Sequence, residues 1–291
     1  MANAIDKTYD DYVFLYSSSH LDYSGTHSYI GFLKDHSITN ANWEGFNFTD
    51  NTDEKPYNQF WMGYLGYEMK NSLEQLPEDE PSFISLPPMW MTLFKVILVY
   101  DHQQKTCTAW ARDKDLINQI PEPLKPEENK SISISVSKIE SNMSKETYLK
   151  RVDTILESIR NGELYQANLT RKFFGTLKKK PSFFELFSAL CKSSPSPYSS
   201  LIKIGEYAVI SSTPEQFLTV DKKGVAVSRP IKGTSPRFLD NIEADKQSRQ
   251  ALENSEKDKA ENLMIVDLMR NDFSRSCTPG SVKVEELFKV R

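Results

Sequence analysis

The chain has 291 residues, 38% apolar and 11% aromatic, enough for one large domain or two ordinary ones with a sizeable core. A formal net charge of −4 offers no basic footprint, so a nucleic-acid partner is not expected, and no apolar run approaches the length of a membrane span. Residues 1–7 lack the apolar core of a secretory signal, and three separated cysteines (Cys107, Cys191, Cys277) form no disulfide or metal pattern, which together suit a reducing cytoplasm. All four histidines (His20, His27, His36, His102) lie in the first 102 residues. A histidine triad or zinc site around later motifs is therefore not expected.

In chain order, Tyr12-Val13-Phe14-Leu15-Tyr16 reads as a strand. The polarity of Ser17-Ser18-Ser19-His20 fits a loop at least as well as a pocket wall. After a turn at Ser24-Gly25-Thr26, Ser28-Tyr29-Ile30-Gly31-Phe32 reads as a second short strand. Trp61-Met62-Gly63-Tyr64-Leu65-Gly66-Tyr67-Glu68 sets glycines among aromatics, where backbone and ring can pack closely. Residues 77–88 form a proline-punctuated connection. Two β-rich runs, 93–100 and 106–111, are joined by Asp101-His102-Gln103-Gln104 as a hairpin. Residues 121–131 are proline-rich and charged, an exposed linker and the expected boundary between regions 1–130 and 131–291. Residues 131–136 alternate as an edge strand would.

Ser144 is the expected cap of a helix whose apolar residues Tyr148, Val152, Ile155, Leu156 and Ile159 share one face, with Asn161-Gly162 ending it. Residues 164–170 alternate strictly, which predicts a strand with Gln166, Asn168 and Thr170 on one face, a candidate pocket wall or an exposed edge. A second amphipathic helix is expected over 182–192, ended by Pro195 and Pro197. Four short strands follow over 198–227, with turns at Gly205-Glu206 and at 221–224. A charged helix begins near Asn241.

The chemistry concentrates late. Val227-Ser228-Arg229 runs into Pro230-Ile231-Lys232-Gly233-Thr234. Pro230 fixes φ and Gly233 permits close approach, so Lys232 sits on a constrained turn. Such a lysine fits a solvated turn, an anion partner or a nucleophile. Glu215 lies 17 residues earlier, across a predicted antiparallel hairpin that returns the chain, so the two can meet as an ion pair or an acid–base couple. Asp258 and Glu261 are i, i+3 on a predicted helix, an arrangement open to Mg²⁺ or to a solvated helix face. The apolar run 263–269 predicts that this helix soon becomes buried, with Asp267, Arg270 and Asp272 paired at the edge of the core.

Three stretches, Ser211-Ser212-Thr213-Pro214-Glu215-Gln216-Phe217, the Lys232 turn and Glu261-Asn262-Leu263-Met264-Ile265-Val266-Asp267, together resemble the chorismate-binding enzymes. That family includes anthranilate synthase component I, aminodeoxychorismate synthase component I and the isochorismate and salicylate synthases. The resemblance implies an α+β fold of two stacked antiparallel β-sheets flanked by helices. It implies that Lys232 and Glu215 are catalytic, that Gly233, Thr234, Gln166 and Asn168 bind substrate, and that Glu261 with Asp258 holds Mg²⁺.

Within the family, the lysine in Pro-Ile-Lys-Gly-Thr resembles the aminodeoxychorismate synthase branch, whereas anthranilate synthases usually carry alanine there. Gln166 stands where isochorismate and salicylate synthases place a water-activating lysine. The implied reaction joins chorismate and ammonia, through a Lys232 adduct, to give 4-amino-4-deoxychorismate for para-aminobenzoate and folate synthesis, with ammonia from a glutamine amidotransferase partner. Family members continue well past residue 291, so a C-terminally incomplete fold is expected, lacking a histidine, an arginine, a tyrosine and a second metal-binding glutamate. A non-catalytic remnant that binds a partner and an anthranilate synthase with an atypical lysine are the alternative readings. Phe273-Ser274 departs from the family's usual Leu-Gly.

Overall fold

The computed structural model describes residues 1–19, 24–40, 61–77, 84–124 and 134–290. They form two compact units, Met1–Ser212 and Thr213–Arg291. This division does not coincide with the linker near residue 130, because β8 (Tyr198–Ile204) is hydrogen-bonded to β1 (Asp11–Tyr16) in one sheet. His20 and most of the 121–131 linker lie outside the described residues.

Unit 1 is built on a seven-stranded antiparallel sheet. Its order is β3 (Trp61–Leu65), β4 (Met89–Asp101), β2 (His27–Ile38), β1, β8 and β9 (Tyr207–Thr213), with β5 (Thr106–Ala111) also paired to β4. Tyr12, Val13 and Phe14 of β1 are all buried because both faces of the strand are covered there. Tyr12 and Phe14 join Ile5, Phe32, Phe187 and Leu201 on one side, while Val13 joins Trp90, Phe94, Ile97 and Ile202 on the other. β4 and β5 form the expected hairpin, and Asp101 Oδ1 closes its turn by accepting from the amides of Gln103 (2.8 Å) and Gln104 (2.9 Å). Chiefly the Gln104 amide holds the Asp101 carboxyl below its usual range. Gly63 of β3 has no room for a side chain, since a Cβ there would overlap the Trp90 carbonyl.

Two helices cover one face of this sheet. α1 (Ala2–Thr8), which no sequence pattern announced, buries Ala4, Ile5 and Asp6. α3 (Phe183–Ser193) buries Phe187 and Cys191, and its capping box joins Ser182 to Glu185. The Asp6 carboxylate accepts from the Tyr12 hydroxyl (3.0 Å) and the Phe184 amide (3.2 Å). The Lys203 ammonium donates to the carbonyls of Asp6 (3.0 Å) and Tyr9 (2.8 Å) and lies 4.0 Å from Asp6 Oδ1. Burial, and then the neighbouring Asp6 charge, push the Tyr12 phenol well above its usual range. This network joins α1, α3, β1 and β8.

The rest of unit 1 departs from expectation in two places. Of the edge strand expected over 131–136, residues 131–133 lie outside the described residues; the described strand there is β6 (Val136–Ser141), pairing with β7 (Phe173–Leu177). Residues 164–170 are not a strand: no described neighbour offers them a ladder, and alternation without a pairing partner leaves backbone groups to water. α2 (Lys145–Arg160) forms as expected, capped by Ser144 Oγ accepting from the Thr147 amide, but its apolar face is not buried.

Unit 2 contains the hairpin β10 (Gln216–Val220) and β11 (Ala226–Arg229), then α4 (Ile242–Asn254) and α5 (Glu256–Ser276). Burial of the 263–269 run is not found. α5 has no buried residue, and Leu263 and Leu268 are 52% and 45% exposed. The Arg270–Asp267 pair (3.4 Å) is solvated on both sides. No described helix is long and apolar enough to cross a membrane.

Two outcomes follow from these contacts. Replacing Asp6 by alanine removes the carboxylate that accepts from the buried Tyr12 hydroxyl and the Phe184 amide and that offsets the Lys203 charge, so urea denaturation should show a loss of about 3 kcal/mol; an unchanged midpoint would mean that the network contributes nothing. Phe217, Leu239 and Ile242 are 80%, 81% and 86% exposed, so the folded chain should bind anilinonaphthalene sulfonate. Replacing the three by serine should reduce that fluorescence without lowering the denaturation midpoint.

Candidate functional site

The β10–β11 hairpin sets the site. Its paired residues are Gln216↔Arg229, Thr219↔Val227 and Val220↔Ala226, and Asp221 Oδ1 closes the turn on the amides of Lys223 and Val225 (both 2.8 Å). Gln216, 8% exposed, is the single buried side chain of unit 2 among the described residues. Its carboxamide accepts from Arg229 Nη1 (2.7 Å) and donates to Thr219 Oγ1 (2.9 Å). Glu215 immediately precedes this closing pair and the Pro230 turn immediately follows it.

The expected meeting of Glu215 and Lys232 takes a different form. Glu215 Oε1 accepts from the backbone amide of Ile231 at 3.4 Å. The Lys232 ammonium lies 3.7 Å from Glu261 Oε1, and the two side chains are 27% and 39% exposed. Gly233 has φ +75°, and a Cβ there would sit 3.0 Å from Asp258 Cβ and Cγ and from Leu252 Cδ1. A glycine is therefore needed for both the left-handed backbone and the close approach. Ser255 caps α5 by accepting from the Asp258 amide (3.2 Å), which sets the helical turn that carries Asp258 and Glu261 to residues 232 and 233. Glu215, Lys232, Gly233, Asp258 and Glu261 thus converge on one turn. Thr234 is adjacent and exposed.

Gln166 and Asn168 belong to unit 1, where Gln166 is half-buried and Asn168 exposed in a segment without regular structure. A cleft of about 330 Å³ in unit 1, lined in part by Asp10, Asp11, Lys34 and Lys95, holds none of the candidate residues. Its Lys34–Asp11 pair (2.5 Å) is already neutralised, so shape alone does not make it a site.

No cluster of three or more His, Cys, Asp or Glu suited to a metal occurs among the described residues. The donor set at the turn is two carboxylates one helical turn apart. That fits Mg²⁺, which keeps several waters and often takes only one or two protein carboxylates.

Sequence reasoning missed the clamp that holds the segment after Thr234. Arg237 donates to both oxygens of Asp245 (2.8 and 3.0 Å), and the Phe238 amide donates to Asp245 Oδ1 (2.9 Å). Ser248 Oγ donates to the Pro236 carbonyl (2.7 Å), and Ser235 and Ser248 share a short hydroxyl contact. The available signal was an acid in the first turn of α4, eight residues after an arginine.

The sequence matches the family described as chorismate binding enzyme over residues 11–291. It is 36% identical over 229 residues to aminodeoxychorismate synthase component 1 of Klebsiella aerogenes, covering 79% of this chain and 50% of that protein. With the protein of the same description from Escherichia coli (strain K12), it is 34% identical over 241 residues, covering 82% and 52%. The chain spans about half the length of these relatives. The crystal structure of anthranilate synthase component I from Streptococcus pneumoniae TIGR4 superposes with a TM-score of 0.72 at 21% identity, covering 88% of this chain and 63% of that one. The expected α+β fold is therefore the fold of this chain.

The Arg237 guanidinium, and then the Phe238 amide, hold the Asp245 carboxyl below the usual carboxylate range. A lowered folded-state value means that the clamp is fully formed above the ordinary range and is lost as pH falls through that lowered value. The Phe238 amide resonance should accordingly titrate below the range of unpaired aspartates. At neutral pH, Asp245→Asn should speed tryptic cleavage after Arg237; equal cleavage in both forms would show that the clamp does not restrain the loop.

Proposed function

The chain belongs to the family of chorismate binding enzymes, and on that footing we propose that it carries the lysine-bearing part of a site that aminates chorismate at C4. The product is 4-amino-4-deoxychorismate, the precursor of para-aminobenzoate and folate. The observation that carries this reading is Lys232 on a glycine-gated turn that the Glu215 and Glu261 carboxylates also reach.

In this reading Lys232 attacks C2 of chorismate as a neutral amine, with its electron pair forming the new C–N bond. Both conjugated ring double bonds shift, the C4–O bond breaks, and Glu215 supplies the proton with which the hydroxyl leaves as water. Ammonia then attacks C4, the shift reverses, and the bond to Lys232 breaks. Chorismate and ammonia have become aminodeoxychorismate and water, with the lysine returned. Glu261 and Asp258 would hold Mg²⁺, which when bound supplies positive charge for a substrate carboxylate.

The remaining residues take supporting roles. The Gly233 backbone and the exposed Thr234 hydroxyl are placed to hold substrate. Gln166 and Asn168 would contribute neutral hydrogen bonds; a glutamine at 166 cannot activate water as a base, which disfavours hydroxylation of the ring. Ammonia would come from a glutamine amidotransferase subunit. Because the chain spans about half the length of its relatives, turnover is proposed for the whole protein. Regions 1–130 and 131–291 are proposed as its N-terminal and chorismate-binding parts.

The test is covalent capture. With chorismate and Mg²⁺ but no ammonia, mass spectrometry should find an adduct on the peptide containing Lys232, and Lys232→Ala should abolish it. Glu215→Gln should slow adduct formation about 10²–10⁴-fold. With ammonia, chromatography should find aminodeoxychorismate. Anthranilate as the main product, or an adduct that survives Lys232→Ala, would overturn the reading.

A further inference from the structure

Lys232 and Glu261 have separate roles in the reading above, yet the structure joins them to one another at 3.7 Å. The backbone of the turn is held, so the base of the Lys232 side chain stays beside α5 while its ammonium can move. Pro230 fixes φ on one side, the Ile231 amide is held by Glu215, and Gly233 is seated against Asp258 and Leu252. Glu261, for its part, sits in the second turn of α5, whose start is set by the Ser255 cap. The lysine ammonium therefore lies beside the carboxylate oxygen that a divalent cation would approach.

Both cations cannot share this carboxylate without strong repulsion at such a distance. We propose that the Lys232 ammonium and a divalent cation compete for Glu261, so that cation uptake and release of Lys232 for attack are one linked event. The proposal rests on the assignment of Glu261 as a metal ligand. By reciprocity, whatever holds Lys232 on Glu261 weakens the cation by the same factor. Without the cation the lysine is engaged and shielded from stray electrophiles; with it, the amine is free to turn to substrate.

Mn²⁺ serves as the probe, with free Mn²⁺ measured by electron paramagnetic resonance in the presence of the 1–291 chain. Lys232→Met should bind Mn²⁺ about tenfold more tightly than the unmodified chain. Lys223→Met, which removes the same charge from the far end of the hairpin, should stay within about twofold. Glu261→Gln should weaken binding, and adding Lys232→Met to it should restore nothing. Circular dichroism checks each fold, and Lys232→Gln is the second variant should the methionine form misfold.

A second readout needs no substitution. Acylation of Lys232 by a succinimidyl ester, normalised to Lys223 and read by mass spectrometry, should rise several-fold when Mg²⁺ is added. If both Lys232 variants bind Mn²⁺ like the unmodified chain while Glu261→Gln still loses it, competition is overturned and the ligand assignment stands. If Glu261→Gln binds Mn²⁺ normally, the ligand assignment fails and the proposal falls with it. Acylation that is indifferent to Mg²⁺ likewise overturns the linkage.

Discussion

The pairing of β1 with β8 is the constraint on which unit 1 depends. It sets residues 11–16 beside residues 199–204 and so ties together the two ends of the unit. The chain reinforces this closure at both ends of the ladder. Gly205 donates to the Asp10 carbonyl (3.0 Å), while Ser18 and Ser196 exchange backbone and hydroxyl hydrogen bonds. Closing so long a loop costs entropy that grows only slowly with length, and the apolar clusters on the two faces of β1 offset it. Between them, β2, β3, β4 and β5 join the sheet by shorter-range pairings, while β6 and β7 pair with each other in a separate sheet.

Unit 2 follows a different logic. It has one buried side chain among its described residues, and that side chain is polar. Gln216 closes the hairpin on Arg229, and hydrogen bonds accepted by Asp221, Asp245 and Ser255 and donated by Ser248 set the turns and helix starts around it. A unit held mainly by directional contacts fixes local geometry well while burying little apolar surface. Glu215, Lys232 and Glu261 are consequently well placed relative to one another on a scaffold whose large side chains face water.

The same contrast explains where reading the sequence succeeded. The helix cap at Ser144, the helix starts near Ser182 and Asn241 and the turns at 101–104 and 221–224 were legible, because each is decided by a few neighbouring residues. The strand expected at 164–170 was not found, because alternation states which face a side chain would take and not whether a partner strand exists. α1 was missed because seven residues with no side-chain cap carry too short a pattern. It is held through Asp6 and Ile5, whose partners include Lys203 and Leu201, nearly 200 positions away.

By itself, the sequence determined the family, the constrained lysine turn and the carboxylates that could serve it. Proline, glycine and lysine in that order dictate backbone and chemistry locally. Only the tertiary structure decided how those groups pair. Glu215 is turned to the Ile231 amide and Glu261 to the Lys232 ammonium, because the Ser255 cap and the fit of Gly233 against Asp258 bring α5 up to the turn. Charge type is written residue by residue, whereas which charge meets which depends on distances that exist only after the chain has folded.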